Sequence, residues 1–254
     1  MRKTRSEENT HTGGQDGAGV MGAEYARERE RAPALRFRLA VRAEIVVRAA
    51  RRNLGRDRGL RVLDMGCAEG RTLRYLSGRL KNSIFLGVEY SPELLGMAEP
   101  LPGNINLRHG DVQALPEDIE EASFDLVSAL AVLEHLGDPA AAVREAYRML
   151  KPGGLFVATS PISLWDGLAG RFGLLDGEHH CSDMTQARLR DIAGAAGMES
   201  LDYHRVMFAP VAFLPYLRVP VSPGVSLGID RRVERLRILN WLFVNQAIVA
   251  ARPK

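Results

Sequence analysis

The stretch Arg61-Val62-Leu63-Asp64-Met65-Gly66-Cys67-Ala68-Glu69-Gly70-Arg71-Thr72-Leu73 decides how the chain is read. Val62 and Leu63 close a short apolar run of the kind a parallel strand buried on both faces requires, and Asp64 stands at its carboxyl end. Gly66, Ala68 and Gly70 alternate through a tight turn, and a helical pattern begins near Arg71. In open α/β sheets the crevice beyond the strand ends is where ligands bind, so a turn of small residues there invites a ligand onto the backbone. A dinucleotide fingerprint would need glycine at the first, third and sixth positions from Gly66. The third is Ala68 and the sixth is Arg71, whose side chain would crowd a pyrophosphate at the helix start. The dinucleotide reading fails on those two residues.

Downstream, residues 83–88 read as a second buried strand ending in Glu89-Tyr90. A carboxylate at a strand end, 23 residues past Gly66, is placed to accept both hydroxyls of a ribose. Tyr90 is placed to pack on a base or to sit on the rim. Residues 105–109 form a third strand leading into Gly110-Asp111-Val112. Residues 124–129 form a fourth, followed by Leu130-Ala-Val-Leu-Glu-His135-Leu-Gly-Asp-Pro139. Helix 140–150 stops at Lys151-Pro-Gly-Gly154, with cation, Pro and Gly in the order a helix C-terminus favours, and strand 155–160 follows.

DMGCAEG resembles the first motif of the class I S-adenosylmethionine-dependent methyltransferases, D/E-x-G-x-G-x-G, with Ala68 in place of the middle glycine. The ordered series RVLDMGCAEG, FLGVEY, GDV, FDLV with LEHL, then LKPGG with LFVATSP, is similar to that family over about 100 residues. LEHLGDP is similar to a stretch in members acting on quinones, sugars and polyketides. The resemblance implies an α/β fold, Rossmann-like, with a seven-stranded and mostly parallel sheet, helices on both faces and a reversed last strand. It implies S-adenosylmethionine as cofactor and S-adenosylhomocysteine as product. It also places Asp64 at the amino-acid end, directly or through water, with Gly66, Cys67, Ala68 and Gly70 curving around it. Glu89 and Tyr90 then belong to the ribose and base, Asp111 to the adenine amino group, the Val112 backbone to the ring edge, and the Leu130 backbone to the rest of the pocket. Cys67 also reads simply as a small buried residue of the turn.

Beyond the motifs, 46% apolar and 26% charged residues in 254 fit one α/β domain with a sizeable core. Residues 1–22 are polar and glycine-rich and are expected to be a disordered tail, with a single domain over 23–254. Within it, 23–54 are leading helices, 60–161 the cofactor-binding half and 162–254 the substrate-side half. Prolines 210, 215, 220 and 223 argue against regular helix or central strand in an insertion at 208–228, read as an apolar lid, an oligomer contact or a membrane-surface contact. A helix is expected at 185–196, a strand at 200–207, an amphipathic helix at 229–241 and the final strand at 243–251.

Two cysteines, Cys67 and Cys181, offer no C-x-x-C pair and no disulfide framework, which favours a cytoplasmic setting. No apolar run reaches the roughly 18 residues of a membrane span. His135 is the first candidate for a general base, with His179 and His180 second. Adjacent His179, His180, Cys181 and Asp183 make a poor metal site, and no metal is expected. The first 60 residues hold 14 Lys/Arg against 8 Asp/Glu, read either as a solvated helix face or as a nucleic-acid contact. The reading that follows is methyl transfer to a small molecule, most readily at oxygen, by a chain for which a homodimer is possible, with no nucleic-acid partner expected. An RNA-directed enzyme and an inactive cofactor-binding partner protein are the alternatives.

Overall fold

The computed structural model describes residues 31–162 and 183–254. Seven strands form one sheet: β1 Arg61–Met65, β2 Ile84–Glu89, β3 Ile105–His109, β4 Phe124–Leu130, β5 Leu150–Pro161, β6 Glu199–Phe208 and β7 Phe243–Ala251. Their order is β3-β2-β1-β4-β5-β7-β6. The first five pair in parallel, and β7 lies antiparallel to both β5 and β6. This is the Rossmann-like sheet with a reversed last strand expected above. Strand order turns back between β1 and β4, so a crevice opens there beyond their carboxyl ends.

Each face of the sheet buries a separate core. On one face Val62, Leu126, Leu155, Val157 and Val249 meet Val41, Ile45 and Val46 of α1 (Pro33–Ala49) and Leu73 and Leu76 of α2 (Arg71–Arg79). On the other, Leu63, Val127, Phe156 and Ile248 meet Ala142, Val143 and Ala146 of α4 (Pro139–Met149) and Leu189 and Ala193 of α5 (Gln186–Ala195). A short α3, Pro92–Gly96, follows β2. Alternate residues of one strand thus face opposite cores, as its period of two requires.

Some boundaries differ from the sequence reading. Pro33 opens α1, since proline at the first helical position gives up an N–H that had no partner anyway. The same rule corrects the 208–228 insertion: Pro210 sits in the first turn of α6 (Ala209–Ala212), Pro215 at the start of a 3₁₀ turn (Leu214–Leu217), and Pro223 opens α7 (Pro223–Val233), capped by Ser222. The helix expected at 229–241 is therefore two pieces, α7 and a 3₁₀ turn at Arg237–Leu242. The tail 1–22, His179, His180 and Cys181 lie outside the described residues.

Candidate functional site

The turn after β1 runs through the left-handed region three times, with φ of +74° at Gly66, +48° at Ala68 and +80° at Gly70. Ala68 therefore adopts the conformation for which glycine is the usual residue, and its methyl group is accommodated. Gly66 has a second reason to lack a side chain: a Cβ there would lie 2.5 Å from Val132 Cγ2 in the loop after β4. The turn is pinned to β2, with Gly66 N and Cys67 N both donating to Val88 O at 2.8 and 3.2 Å. Gly70 N-caps α2 without a side-chain cap, so the first N–H groups of that helix are left for solvent or ligand.

Glu89 ties the arrangement together. Its carboxylate is buried and accepts from Ala68 N on one oxygen and Ser91 N on the other, each at 2.9 Å. Two backbone donors fix both oxygens, and each oxygen keeps a lone pair to spare. Asp64, buried in β1, accepts from Ser128 Oγ of β4 at 2.6 Å. Cys67 turns its thiol inward across Gly87, where a Cβ would lie 2.5 Å from the sulfur. Burial, with the Asp64 and Glu89 carboxylates nearby, pushes that thiol's pKa well up, so it stays protonated and packs. Of the residues expected around the ligand, Cys67 offers backbone alone.

The other expected residues gather near this crevice in three loops. After β3, Asp111 Oδ1 accepts from Gln113 N at 2.8 Å, while Val112 is buried. Tyr90 is 46% exposed, its ring 6.1 Å from that of His109. Leu130 closes β4, and Ala131, at φ +59°, donates to Thr159 O of β5. His135 ends a 3₁₀ turn, Leu133–His135, half-buried. His180, the other candidate base, falls outside the described residues.

Two site residues escape the sequence reading. Gln113 Oε1 accepts from Asp138 N at 2.7 Å, joining the loop after β3 to the cap of α4, where Asp138 accepts from Ala141 N. Glu69, buried inside the turn, pairs with Arg71 Nε at 3.1 Å. Arg71 is thus held by a carboxylate of the turn itself, which leaves the crevice acidic. The buried carboxylates of Asp64 and Glu89 are acceptors, which suits a ligand carrying a diol and a cation. Among the described residues no cluster of His, Cys, Asp and Glu is arranged to hold a metal ion, and no helix is long and apolar enough to cross a membrane.

The fold and this crevice define a Rossmann-like protein whose site suits a phosphate-free nucleoside. Residues 63–158 match the methyltransferase domain family. A protein of Mycolicibacterium smegmatis named "Probable S-adenosylmethionine-dependent methyltransferase" is 32% identical over 162 residues, 63% of this chain and 59% of that one. A ubiquinone biosynthesis O-methyltransferase of Ruegeria pomeroyi is 32% identical over 178 residues, 64% of this chain and 70% of its own. Among solved structures, a SAM-dependent methyltransferase of Thermotoga maritima shares the fold, with a TM-score of 0.62 at 19% identity over 90% of this chain and 95% of that one. The chain belongs to the class I S-adenosylmethionine-dependent methyltransferase family. It spans less than two thirds of the length of several curated relatives it matches.

Proposed function

We propose that this chain transfers a methyl group from S-adenosylmethionine to an oxygen atom of a small-molecule acceptor. The observation that carries the reading is Glu89, whose two backbone donors hold a buried carboxylate at the end of β2 with accepting capacity left for a ribose diol. The cofactor, when bound, supplies a methyl group on a positively charged sulfur. Asp64 and the turn backbone receive its amino-acid end, Asp111 and Val112 the adenine, and Leu130 the side of the pocket toward the acceptor. The chain's main contribution is to position: methyl transfer needs an acceptor atom about 3 Å from the methyl and in line with it, with water kept out. An oxygen acceptor must also give up a proton, and His135, at the end of the 3₁₀ turn that follows β4, is the residue we assign to receive it.

Oxygen as the accepting atom draws support from the relatives named ubiquinone biosynthesis O-methyltransferase. A small-molecule acceptor draws support from the described part of the basic N-terminal region. There Arg48, Arg51 and Arg52 face Glu44, Asp57 and Asp202, so their charge is spent within the protein. Incubation with deuteromethyl-labelled cofactor and a panel of phenols, carboxylic acids, amines and RNA tests the proposal. A labelled methyl ether or ester is expected. Label in the amines or RNA alone would overturn the acceptor class, and label nowhere would overturn the activity.

A further inference from the structure

Among the described residues, exposed large apolar side chains are concentrated in one segment of the chain. Eight of the eleven large apolar side chains that stand exposed among the described residues fall between residues 213 and 241, in the connection from β6 to β7. Leu217 is 74% exposed and Ile238 80%, with Tyr216, Val219 and Leu236 beside them in sequence. The connection leaves the sheet at Phe208 and returns at Phe243, which are register partners with rings 5.7 Å apart. Rises of about 1.5 Å per α residue and 2.0 Å per 3₁₀ residue keep Leu217 within about 15 Å of Phe208, and Ile238 within about 10 Å of Phe243. Both apolar groups therefore stand at the same end of the sheet, the end where β4 and β5 finish beside the crevice.

Charge on this segment is one-sided. Arg218, Arg231, Arg232, Arg235 and Arg237 are all exposed, and none is ion-paired among the described residues. Its two acids face inward: buried Asp230 accepts from Met207 N and Phe208 N, and Glu234 accepts from Arg205 N beside His204. Arg218 separates Leu217 from Val219, and Arg235-Leu236-Arg237-Ile238 alternates cation with aliphatic side chain.

From this interleaving we infer that the β6–β7 connection is a docking surface for an anionic phospholipid bilayer. Aliphatic groups enter the acyl boundary while guanidinium groups remain at the phosphates. Charge and hydrophobicity together select this occupant. A phosphodiester backbone would leave Leu217 and Ile238 without a partner, and a second copy would set like charges against one another across a two-fold contact. The mouth of the crevice would then stand at the membrane surface.

Sedimentation of the full chain with lipid vesicles tests this, without cofactor or acceptor, so a negative result leaves the methyl-transfer reading untouched. Binding is expected to vesicles containing about a third phosphatidylglycerol, to fall with added salt, and to be weak on pure phosphatidylcholine. Arg235→Ser with Arg237→Ser should weaken it about 25-fold, at about fivefold per arginine. Leu217→Ser with Ile238→Ser should weaken it at every salt concentration, and both pairs should leave the melting temperature unchanged because the side chains are exposed. Failure of the parent chain to sediment with anionic vesicles at low salt would overturn the inference. So would binding that neither pair of substitutions weakens, salt-sensitive binding to RNA without vesicle binding, or a dimer dissolved by Ile238→Ser in a chain that ignores vesicles.

Discussion

Glu89→Gln perturbs the account at its most constrained atom pair. The carboxylate accepts one backbone N–H on each oxygen at 2.9 Å, so it is oriented before any ligand arrives. A glutamine keeps one accepting oxygen and turns an NH2 group toward the N–H of either Ala68 or Ser91. One backbone donor then loses its partner, and one ribose hydroxyl meets a donor where it needs an acceptor. Hydrogen bonds to charged groups contribute about 1.5–3 kcal/mol each, so S-adenosylhomocysteine should bind about 10- to 150-fold more weakly. The unpaired buried N–H should in addition cost about 1–3 kcal/mol of stability without ligand. Titration calorimetry reads the first effect and urea unfolding the second. Glu93→Gln, at an exposed acid in the next helix, controls for loss of one negative charge and should change neither. Affinity in Glu89→Gln within about threefold of the parent would refute the assignment of this carboxylate to the ribose.

Gly66→Ala should destabilise the chain by about 2–4 kcal/mol in urea unfolding, because the new methyl meets Val132 and the backbone sits at φ +74°. Ala68→Gly should shift stability by less than about 1 kcal/mol, since relief at φ +48° is offset by the freer unfolded glycine, and should leave S-adenosylhomocysteine binding unchanged. Burial pushes Asp230 up to about 6 from 3.8. The folded chain therefore holds a proton that the unfolded chain has lost, and stability falls as pH rises across that window, by up to about 3 kcal/mol. Asp230→Asn should flatten that slope in unfolding measurements across the same window. Finally, His135→Gln should lower kcat at least about tenfold while leaving cofactor affinity unchanged, as measured by single-turnover kinetics and calorimetry.

Much of the cofactor half is legible because each of its features is local. An apolar run ended by an acid, small residues alternating through a turn, and Glu89 at the next strand end all lie within 29 residues, from 61 to 89. The last strand, 243–251, is also legible, as its buried pattern is continuous. What the sequence hides is what depends on approach between distant segments. Gly66 reads as a flexible turn residue, yet it also makes room for Val132, 66 positions on. Glu89 reads as a ribose ligand, yet its place is fixed by Ala68 N, which no spacing rule supplies. Gln113 carries no chemistry of its own until the fold brings it to Asp138. The prolines of 208–228 mislead in the other direction, because a helix breaker at an interior position is a helix starter at the first. Arg52 stays on an exposed face, as the solvated reading expects, yet its partner Asp202 lies 150 residues away, which no local pattern supplies.

The turn, Asp64 and Glu89 together claim a phosphate-free nucleoside with a cationic tail. Thermal unfolding of the full chain with S-adenosylhomocysteine and, separately, with NAD measures that claim directly. A ligand at 100 times its Kd adds about 2.7 kcal/mol, which for a chain of this size raises Tm by several degrees. S-adenosylhomocysteine at millimolar concentration should produce that rise and NAD should not. A rise with NAD alone, or with neither ligand, would contradict the account.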